Sequence, residues 1–177
     1  MKQYLEAGEF VTTHGVRGEL KLYPWSDTPE FAAALPRLFF SPEGGHEKKV
    51  EAARVHKGMC LVKLQGVDSI EAARPYIRRV AYFNRADAAL PAGRFFVQDI
   101  LGCAVRDAGT GEEYGVITAV ERPAGTDIYT IKNAAGKTFL FPAVPAFLEA
   151  LDPERGIVTV RPIPGIFTDA GGNDDVD

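Results

Sequence analysis

The sequence predicts an all-β protein made of two small antiparallel β-barrels joined by a short linker, with one or two short helices. Three observations support this fold class. Short segments in which apolar and polar residues alternate recur along the 177 residues. Glycine-containing turns separate the segments of the second half at a spacing of roughly ten residues, which is typical of antiparallel sandwiches and barrels. One stretch poor in large apolar residues divides the chain into two strand-rich halves.

One strand of the first half is predicted where side chains alternate with a period of two. Leu20 and Leu22 alternate with Glu19 and Lys21, which indicates a strand buried on one face. Gly58 lies between two further candidate strands, where a hairpin would need a turn. The other strands predicted in this half are 50–55, 60–64 and 80–83.

The second half predicts a series of short strands joined by glycine turns. A P-loop needs four residues between its glycines, followed by Lys and Ser or Thr before a helix, and no turn in this half has that arrangement. We therefore interpret the turns as hairpins. The predicted strands are 103–105, 116–120, 128–131, 138–141 and 157–160, and the turns are 109–111, 124–127 and 134–137.

Two short helices are predicted between the strands. Asp68 followed three residues later by Glu71 resembles a capped helix start. Pro75 should end that helix after about two turns, because a proline inside a helix removes a hydrogen bond and clashes with the preceding turn. A second short helix is predicted over 143–150.

Composition divides the chain into four parts. Residues 86–93 contain both Pro and Gly and few large apolar side chains, which indicates a linker between two domains, 1–85 and 94–168. Residues 169–177 are acidic and rich in glycine. Such a segment buries too little apolar surface to offset the entropy of ordering, so we predict a disordered tail.

Overall composition favours a cytoplasmic globular protein. Hydrophobic residues make up 46% and charged residues 25% of the chain. No apolar run approaches the length of a membrane span, and the N-terminus lacks the apolar core of a signal peptide. Cys60 and Cys103 lie far apart in the sequence, which suits two buried thiols in a reducing compartment, where a disulfide between them is disfavoured.

Charge is distributed unevenly between the halves. Residues 1–93 carry a net charge of +2 and residues 94–177 a net charge of −6. Because phosphate contacts are made mainly by Lys and Arg, the second half suits a basic protein partner better than RNA. The scattered cations of the first half form no run typical of an RNA-binding arm, and we interpret them as solvated surface charge: Arg78, Arg79, Arg85, Lys48 and Lys49.

The segment from His14 to Lys21 is the most informative feature of the chain. It places polar side chains around Gly15 and Gly18, which permit a tight reversal of the backbone. The segment could be a catalytic loop, a structural loop or a binding loop, and we favour a binding loop because recognition usually resides in polar loops on a rigid scaffold. No obvious nucleophile stands beside His14, and the histidines lack metal-ligand spacing. We therefore predict no catalytic residue, no metal and no cofactor.

The same segment begins a resemblance to a known family. HGVRGELKLYPWSDTPEF resembles the opening signature of the ribosome maturation factor RimM family. Three later segments match in the family's order, so that the resemblance extends over about residues 5–167: VHKGMCLVKLQGVDSIEAA, DILGCAV and FLFPAVPAFLEALDPERGIVTV. It implies an N-terminal barrel characteristic of the family and a C-terminal PRC-barrel, neither of which is known as a catalytic domain.

The resemblance also implies a function and a partner. It implies a non-enzymatic assembly factor that binds the small-subunit head protein S-nineteen, contacts immature small subunits including their rRNA, and promotes subunit maturation and rRNA processing. We expect a monomer with no membrane partner. A tyrosine pair implicated in contact with a ribosomal protein is usual in the family where this chain has Phe95 and Phe96, so recognition here would depend on apolar area rather than hydroxyl groups. The residues expected to bind partners are Phe95, Phe96, Asp99, His14, Arg17 and Glu19.

Two alternatives stay open at this point. An RNA-processing or RNA-modifying enzyme would use His14 as an acid or base, and it would require a constellation of reactive groups around that side chain. A metabolic or photosynthetic binding module would use the PRC-barrel alone, and it would leave the motif at His14 unexplained.

Overall fold

The computed structural model describes residues 1–26, 28–90 and 95–168. The chain divides into two compact units, Lys2–Ala89 and Leu90–Asp177, with Met1 assigned to the latter. Both units consist mainly of strands, which confirms the all-β prediction. Of the predicted linker, residues 91–93 lie outside the described residues, as does the whole of the predicted acidic tail, 169–177. None of the helices in the described ranges is long and apolar enough to cross a membrane.

The first unit is built on a six-stranded sheet with the order β3-β4-β5-β2-β1-β6. Two backbone hydrogen bonds between Phe39 and Tyr82, of 2.8 and 2.7 Å, join the end of β3 to β6. The two outer strands of the order are therefore brought together by a single bridge. The strands are β1 (Tyr4–His14), β2 (Glu19–Pro24), β3 (Arg37–Leu38), β4 (Lys48–His56), β5 (Met59–Leu64) and β6 (Val80–Asn84).

Alternating side chains create the core of the first unit, as the sequence indicates. Leu20 and Leu22 are fully buried, and their neighbours Glu19 and Lys21 face outward. The predicted hairpin at Gly58 is present, and both Lys57 and Gly58 have positive φ, as a two-residue hairpin turn requires.

The second unit is also built on a six-stranded sheet, with the order β10-β9-β8-β7-β12-β11. All its pairs are antiparallel except β7 with β12, which run parallel, so the prediction of purely antiparallel strands needs this correction. The strands are β7 (Ala104–Asp107), β8 (Glu113–Glu121), β9 (Ile128–Lys132), β10 (Thr138–Pro142), β11 (Leu148–Asp152) and β12 (Ile157–Val160).

The helices of the described residues are short and differ in part from the prediction. The start predicted at Asp68 lies one residue later, because Ser69 caps the helix by accepting a hydrogen bond from the Ala72 N–H at 3.1 Å. The helix predicted over 143–150 is wrong, since that region is a turn followed by β11. The α-helices are α1 (Pro29–Ala33), α2 (Ile70–Ala73) and α3 (Val97–Ile100), and the 3₁₀ helices are Arg74–Tyr76, Arg85–Asp87 and Pro123–Gly125.

Candidate binding surfaces

The loop between β1 and β2 is held rigidly at its second glycine. Gly18 has a φ of +86° and is buried, and a Cβ added to it would lie 2.2 Å from the carbonyl oxygen of Val67. Only glycine therefore fits the close approach of this loop to the segment before α2. Gly15 also has positive φ, but a Cβ there would meet nothing within 4 Å. Val16 and Arg17, between them, are exposed.

The predicted residues of this loop lie at one end of the sheet. His14 and Glu19 are opposite each other in the β1–β2 hairpin. Glu19 forms an ion pair with Arg54 of β4 at 2.9 Å, and the ring of His14 lies with its centroid 5.8 Å from that of His56. The structure thus brings His14 and Glu19 together with two side chains of β4 that the sequence did not single out.

The chemistry of this cluster suits recognition of a polar partner. The Glu19 carboxylate is engaged by the Arg54 guanidinium, and Arg17 extends into solvent with no carboxylate within 4 Å among the described residues. Within the described ranges, no group of three or more His, Cys, Asp or Glu side chains could hold a metal ion.

The second predicted site lies at the start of α3. Phe96 precedes the helix with extended backbone angles, φ −71° and ψ 148°, and the segment is not a strand. The rings of Phe95 and Phe96 are both half-buried, and Phe95 packs against the core of the second unit. Asp99 is half-buried one helical turn later, and its carbonyl accepts a hydrogen bond from the Cys103 thiol at 3.4 Å.

Burial keeps both thiols protonated at neutral pH. Cys60 and Cys103 are buried and free, and desolvation raises the pKa of each above the ordinary value of a thiol. Neither therefore has the lowered pKa of a reactive thiolate.

The second unit is stabilised by an aromatic cluster near its C-terminal end. Phe167 stacks on Tyr114 with ring centroids 4.0 Å apart and also contacts Phe139 and Phe141. The Tyr114 hydroxyl donates a 2.6 Å hydrogen bond to Asp107, and burial together with this bond raises the pKa of Tyr114 to about 12. The same hydrogen bond, with two from backbone N–H groups, lowers the pKa of Asp107. This cluster therefore fixes the last described segment on the sheet.

Comparison with known proteins gives the family of this chain. The model of the RimM N-terminal domain matches residues 5–88, and the model of the RimM PRC barrel domain matches residues 97–166. The chain belongs to the RimM family. A ribosome maturation factor RimM from Clostridium botulinum is 33% identical over 164 residues, which are 92% of this chain and 96% of that protein. One from Lactobacillus johnsonii is 34% identical over 169 residues, covering 94% and 98% of the two chains.

A crystal structure of a RimM protein from Pseudomonas aeruginosa is also similar to this chain. It is 24% identical, covers 89% of this chain and 96% of its own, and has a TM-score of 0.45.

Two aromatic residues within the RimM N-terminal match stand out that sequence reasoning did not select. Tyr23 and Trp25, at the end of β2, are 55% and 45% exposed. The sequence gives little indication that these two residues are exposed, because an aromatic residue in a strand is more often part of the core. Their exposure becomes visible only once the register of β2 is known.

Proposed function

We propose that this protein is a non-enzymatic assembly factor that promotes maturation of the small ribosomal subunit and processing of its rRNA. The observation that carries the proposal is family membership over nearly the whole chain. Both RimM domains are matched in order, and relatives named ribosome maturation factor RimM align over more than 90% of either chain. The action takes place in the cytoplasm, where ribosomes are assembled.

We further propose that the second unit binds the basic head protein S-nineteen. Six Lys or Arg and nine Asp or Glu stand in residues 95–168. Four of the six cations form ion pairs with four of the nine carboxylates of the same unit, which leaves five acidic and two cationic side chains outside these pairs. The ion pairs are Arg106–Glu113, Arg122–Asp127, Arg155–Asp152 and Arg161–Glu149.

Phe95, Phe96 and Asp99 form the proposed contact on this unit. The two rings precede α3, and each keeps part of its surface accessible. Half-buried aromatic side chains are efficient interface anchors, because they contribute a large contact area with little loss of conformational entropy. Asp99 supplies an acidic group at the same helix.

His14, Arg17 and Glu19 are proposed as a binding loop that contacts the immature subunit. The support is geometric: Gly18 fixes the backbone, and Arg17 is left exposed. Two modules on one chain gain avidity when both sites can be reached together. A monomer would suffice for this mode of action, which needs no cofactor.

Sedimentation with ribosomal particles tests the proposal. The full chain is mixed with precursor and mature small subunits purified from bacterial cells, and bound protein is measured in the particle fractions. We expect binding to precursors and weaker binding to mature subunits, because a maturation factor must leave the finished particle. A chain that binds neither particle would contradict the proposal. RNA cleavage or modification that is lost in a His14→Ala variant would support the enzyme alternative instead.

A further inference from the structure

Two large aromatic side chains are exposed at the end of β2. Tyr23 is 55% and Trp25 45% exposed, and Trp25 is the single tryptophan of the chain. Most aromatic residues of this size are largely buried, because each removes 150–250 Å² from water on folding. Tyr23 and Trp25 are separated by one residue in the sequence, and their two exposed rings form a surface on which a flat ligand can stack.

The backbone beneath these rings is held closely. Gly8 of β1 has a φ of +153°, and a Cβ there would lie 2.2 Å from the Tyr23 carbonyl oxygen. The Trp25 N–H donates a 3.0 Å hydrogen bond to the Ala7 carbonyl, which prolongs the β1–β2 pairing beyond Pro24. Tyr23 therefore projects from a strand, and Trp25 from backbone that is hydrogen-bonded directly after it, so little entropy is lost when a ligand stacks on the rings.

Cations accompany the rings along the same strand and the adjacent turn. Lys21 lies on the same face of β2 as Tyr23, because alternate residues of a strand share a face. Lys57 lies in the β4–β5 turn, which the antiparallel pairing of β2 with β5 brings to the aromatic end of β2. Arg17 lies before the other end of β2 and is exposed. None of these three cations has a carboxylate within 4 Å in the described part of the chain.

Two carboxylates lie beside these cations in the β1–β2 hairpin. Glu9 lies opposite Tyr23, and Glu19 is neutralised by Arg54. By contrast, Lys21, Lys57 and Arg17 are not paired with any carboxylate of the described residues, although the whole chain has a net charge of −4. A surface that displays unpaired cations beside stacking rings is complementary to single-stranded nucleic acid.

We propose that this face, formed by Arg17, Lys21, Tyr23, Trp25 and Lys57, binds single-stranded RNA. Bases stack on Tyr23 and Trp25, and Lys21, Lys57 and Arg17 contact the phosphates. RNA is favoured over an acidic peptide because every base offers a π-face to the two rings, whereas a peptide would use the cations alone. The inference goes beyond the proposed function, since it assigns an RNA site to the first unit and does not depend on the protein partner of the second.

Tryptophan fluorescence of the full chain tests the stacking. Titration with a uridine-rich RNA of about twelve nucleotides, a length within the usual site sizes, should quench Trp25, because a stacked base contacts the only indole of the protein. Affinity is measured in parallel by anisotropy of the labelled RNA. Tyr23→Ala and Trp25→Ala should each weaken binding about fivefold or more, whereas Trp25→Phe, which keeps a ring, should retain most of it.

Salt dependence tests the phosphate contacts. The double change Lys21→Gln, Lys57→Gln should reduce the slope of log affinity against log salt by about 1.4, since each phosphate contact to a single strand contributes about 0.7. Lys49→Gln is the matched control, because Lys49 is an exposed lysine at the opposite end of β4 from the turn that carries Lys57. It should leave the slope unchanged.

Three results would overturn the proposal. Trp25 fluorescence could stay unchanged while RNA binds, the lysine pair could leave the slope unchanged, or the folded variants could bind RNA normally and lose a ribosomal protein instead. The last result would make the face a protein-docking surface. Circular dichroism shows whether the Tyr23→Ala variant is folded. If it is not, the quenching of Trp25 and the salt dependence of the lysine variant still show whether this face binds RNA. The RNA is used without ribosomal proteins, so failure here is distinct from failure to bind precursor particles.

Discussion

At the scale of single residues, Gly18 determines the position of the loop that follows β1. Its positive φ and the 2.2 Å approach of an added Cβ to the Val67 carbonyl oxygen are separate obstacles to any other residue. Gly18→Ala should lower the free energy of unfolding of the first unit by about 2 kcal/mol or more, because both the backbone strain and the clash must be relieved. Urea unfolding of the full chain measures this change.

Gly15→Ala provides the control within the same loop. Gly15 shares the positive φ, but its added Cβ meets nothing within 4 Å. The Gly15→Ala variant should lose about 1 kcal/mol of the free energy of unfolding, which is the cost of placing a non-glycine residue in the left-handed region. Equal losses for the two variants would show that the contact with Val67 is not what requires Gly18.

Phe95 and Phe96 are the residues on which partner binding by the second unit is proposed to depend. The double change Phe95→Ala, Phe96→Ala should weaken binding to purified S-nineteen by about 2 kcal/mol or more, as expected for aromatic anchors. Titration calorimetry measures the affinity, and circular dichroism shows whether the variant is folded. Because Phe95 also packs against the core, the single change Phe96→Ala is measured as well.

Leu140→Ala is the matched control for this pair. Leu140 is 64% exposed on β10 of the same unit, so its truncation removes apolar surface on a different element from α3. Binding should be unchanged in this variant. Unaltered affinity in folded Phe95 and Phe96 variants would remove both residues from the proposed contact.

At the scale of secondary-structure elements, α2 depends on its N-cap. The Ser69 Oγ accepts the Ala72 N–H at 3.1 Å, which satisfies one of the free donors of a very short helix. Ser69→Ala should cost about 1 kcal/mol of stability, the usual value for loss of such a cap. Thermal or urea unfolding of the full chain gives the change.

Asp68→Ala compares the cap that the sequence predicts with the one that forms. Asp68 is 77% exposed and pairs with Lys63 at 2.8 Å. Because Asp68 is exposed, and the largely buried Lys63 ammonium still donates hydrogen bonds to the carbonyl oxygens of Leu64 and Val67, this variant should lose less than about 1 kcal/mol. A larger loss for Asp68→Ala than for Ser69→Ala would contradict the assignment of Ser69 as the cap.

The elements that the sequence predicts well are those with a local signal. Alternation identifies β2, a run of apolar residues indicates β5, and the turn at Gly58 follows from residues adjacent in sequence. The region 143–150 shows where local patterns fail, since the sequence predicts a helix there. Its second part instead joins the sheet as β11, through pairing with β12. The parallel pairing of β12 with β7 also depends on contacts between distant segments, which no local pattern reveals.

The candidate sites were predictable to different extents. The His14 loop is visible in the sequence because its two glycines and its charges are contiguous. The proximity of His56 and Arg54 to it depends on how β4 lies relative to the β1–β2 hairpin. Tyr23 and Trp25 could not be distinguished from core aromatics without the register of β2, since the sequence does not show which face is covered.

At the scale of the whole molecule, two units suggest two separately folding domains. Each has its own sheet and its own buried side chains, and each is matched by its own family model. We predict that residues 94–168, expressed alone, unfold cooperatively on heating. Circular dichroism gives the transition, and the full chain serves as the reference. A fragment that shows no transition would mean that the second unit needs the first in order to fold.

Net charge gives a second expectation for the whole molecule. Residues 94–177 carry a net charge of −6 and residues 94–168 a net charge of −2, because Asp169, Asp174, Asp175 and Asp177 fall in the last nine residues. Attraction to a basic partner should weaken as salt rises, since the Debye length falls to about 8 Å at physiological ionic strength. The full chain should therefore lose more affinity for S-nineteen with salt than a chain ending at residue 168.

The two chains can be compared by measuring association rates over a range of salt concentrations. Equal salt dependence would show that the acidic tail does not steer association. Binding that is independent of salt in both chains would leave apolar contact at Phe95 and Phe96 as the basis of recognition.

The long-range strand pairs set the order in which the chain can fold during synthesis. Leu5 pairs with Phe83 in the first unit, and Val105 pairs with Val158 in the second, so each sheet is completed by a strand made late. The first unit has all its strands once Asn84 has emerged, before any strand of the second exists. A chain interrupted after β10 would hold a finished first unit and a β7 with one open edge, the kind of exposed strand that promotes aggregation.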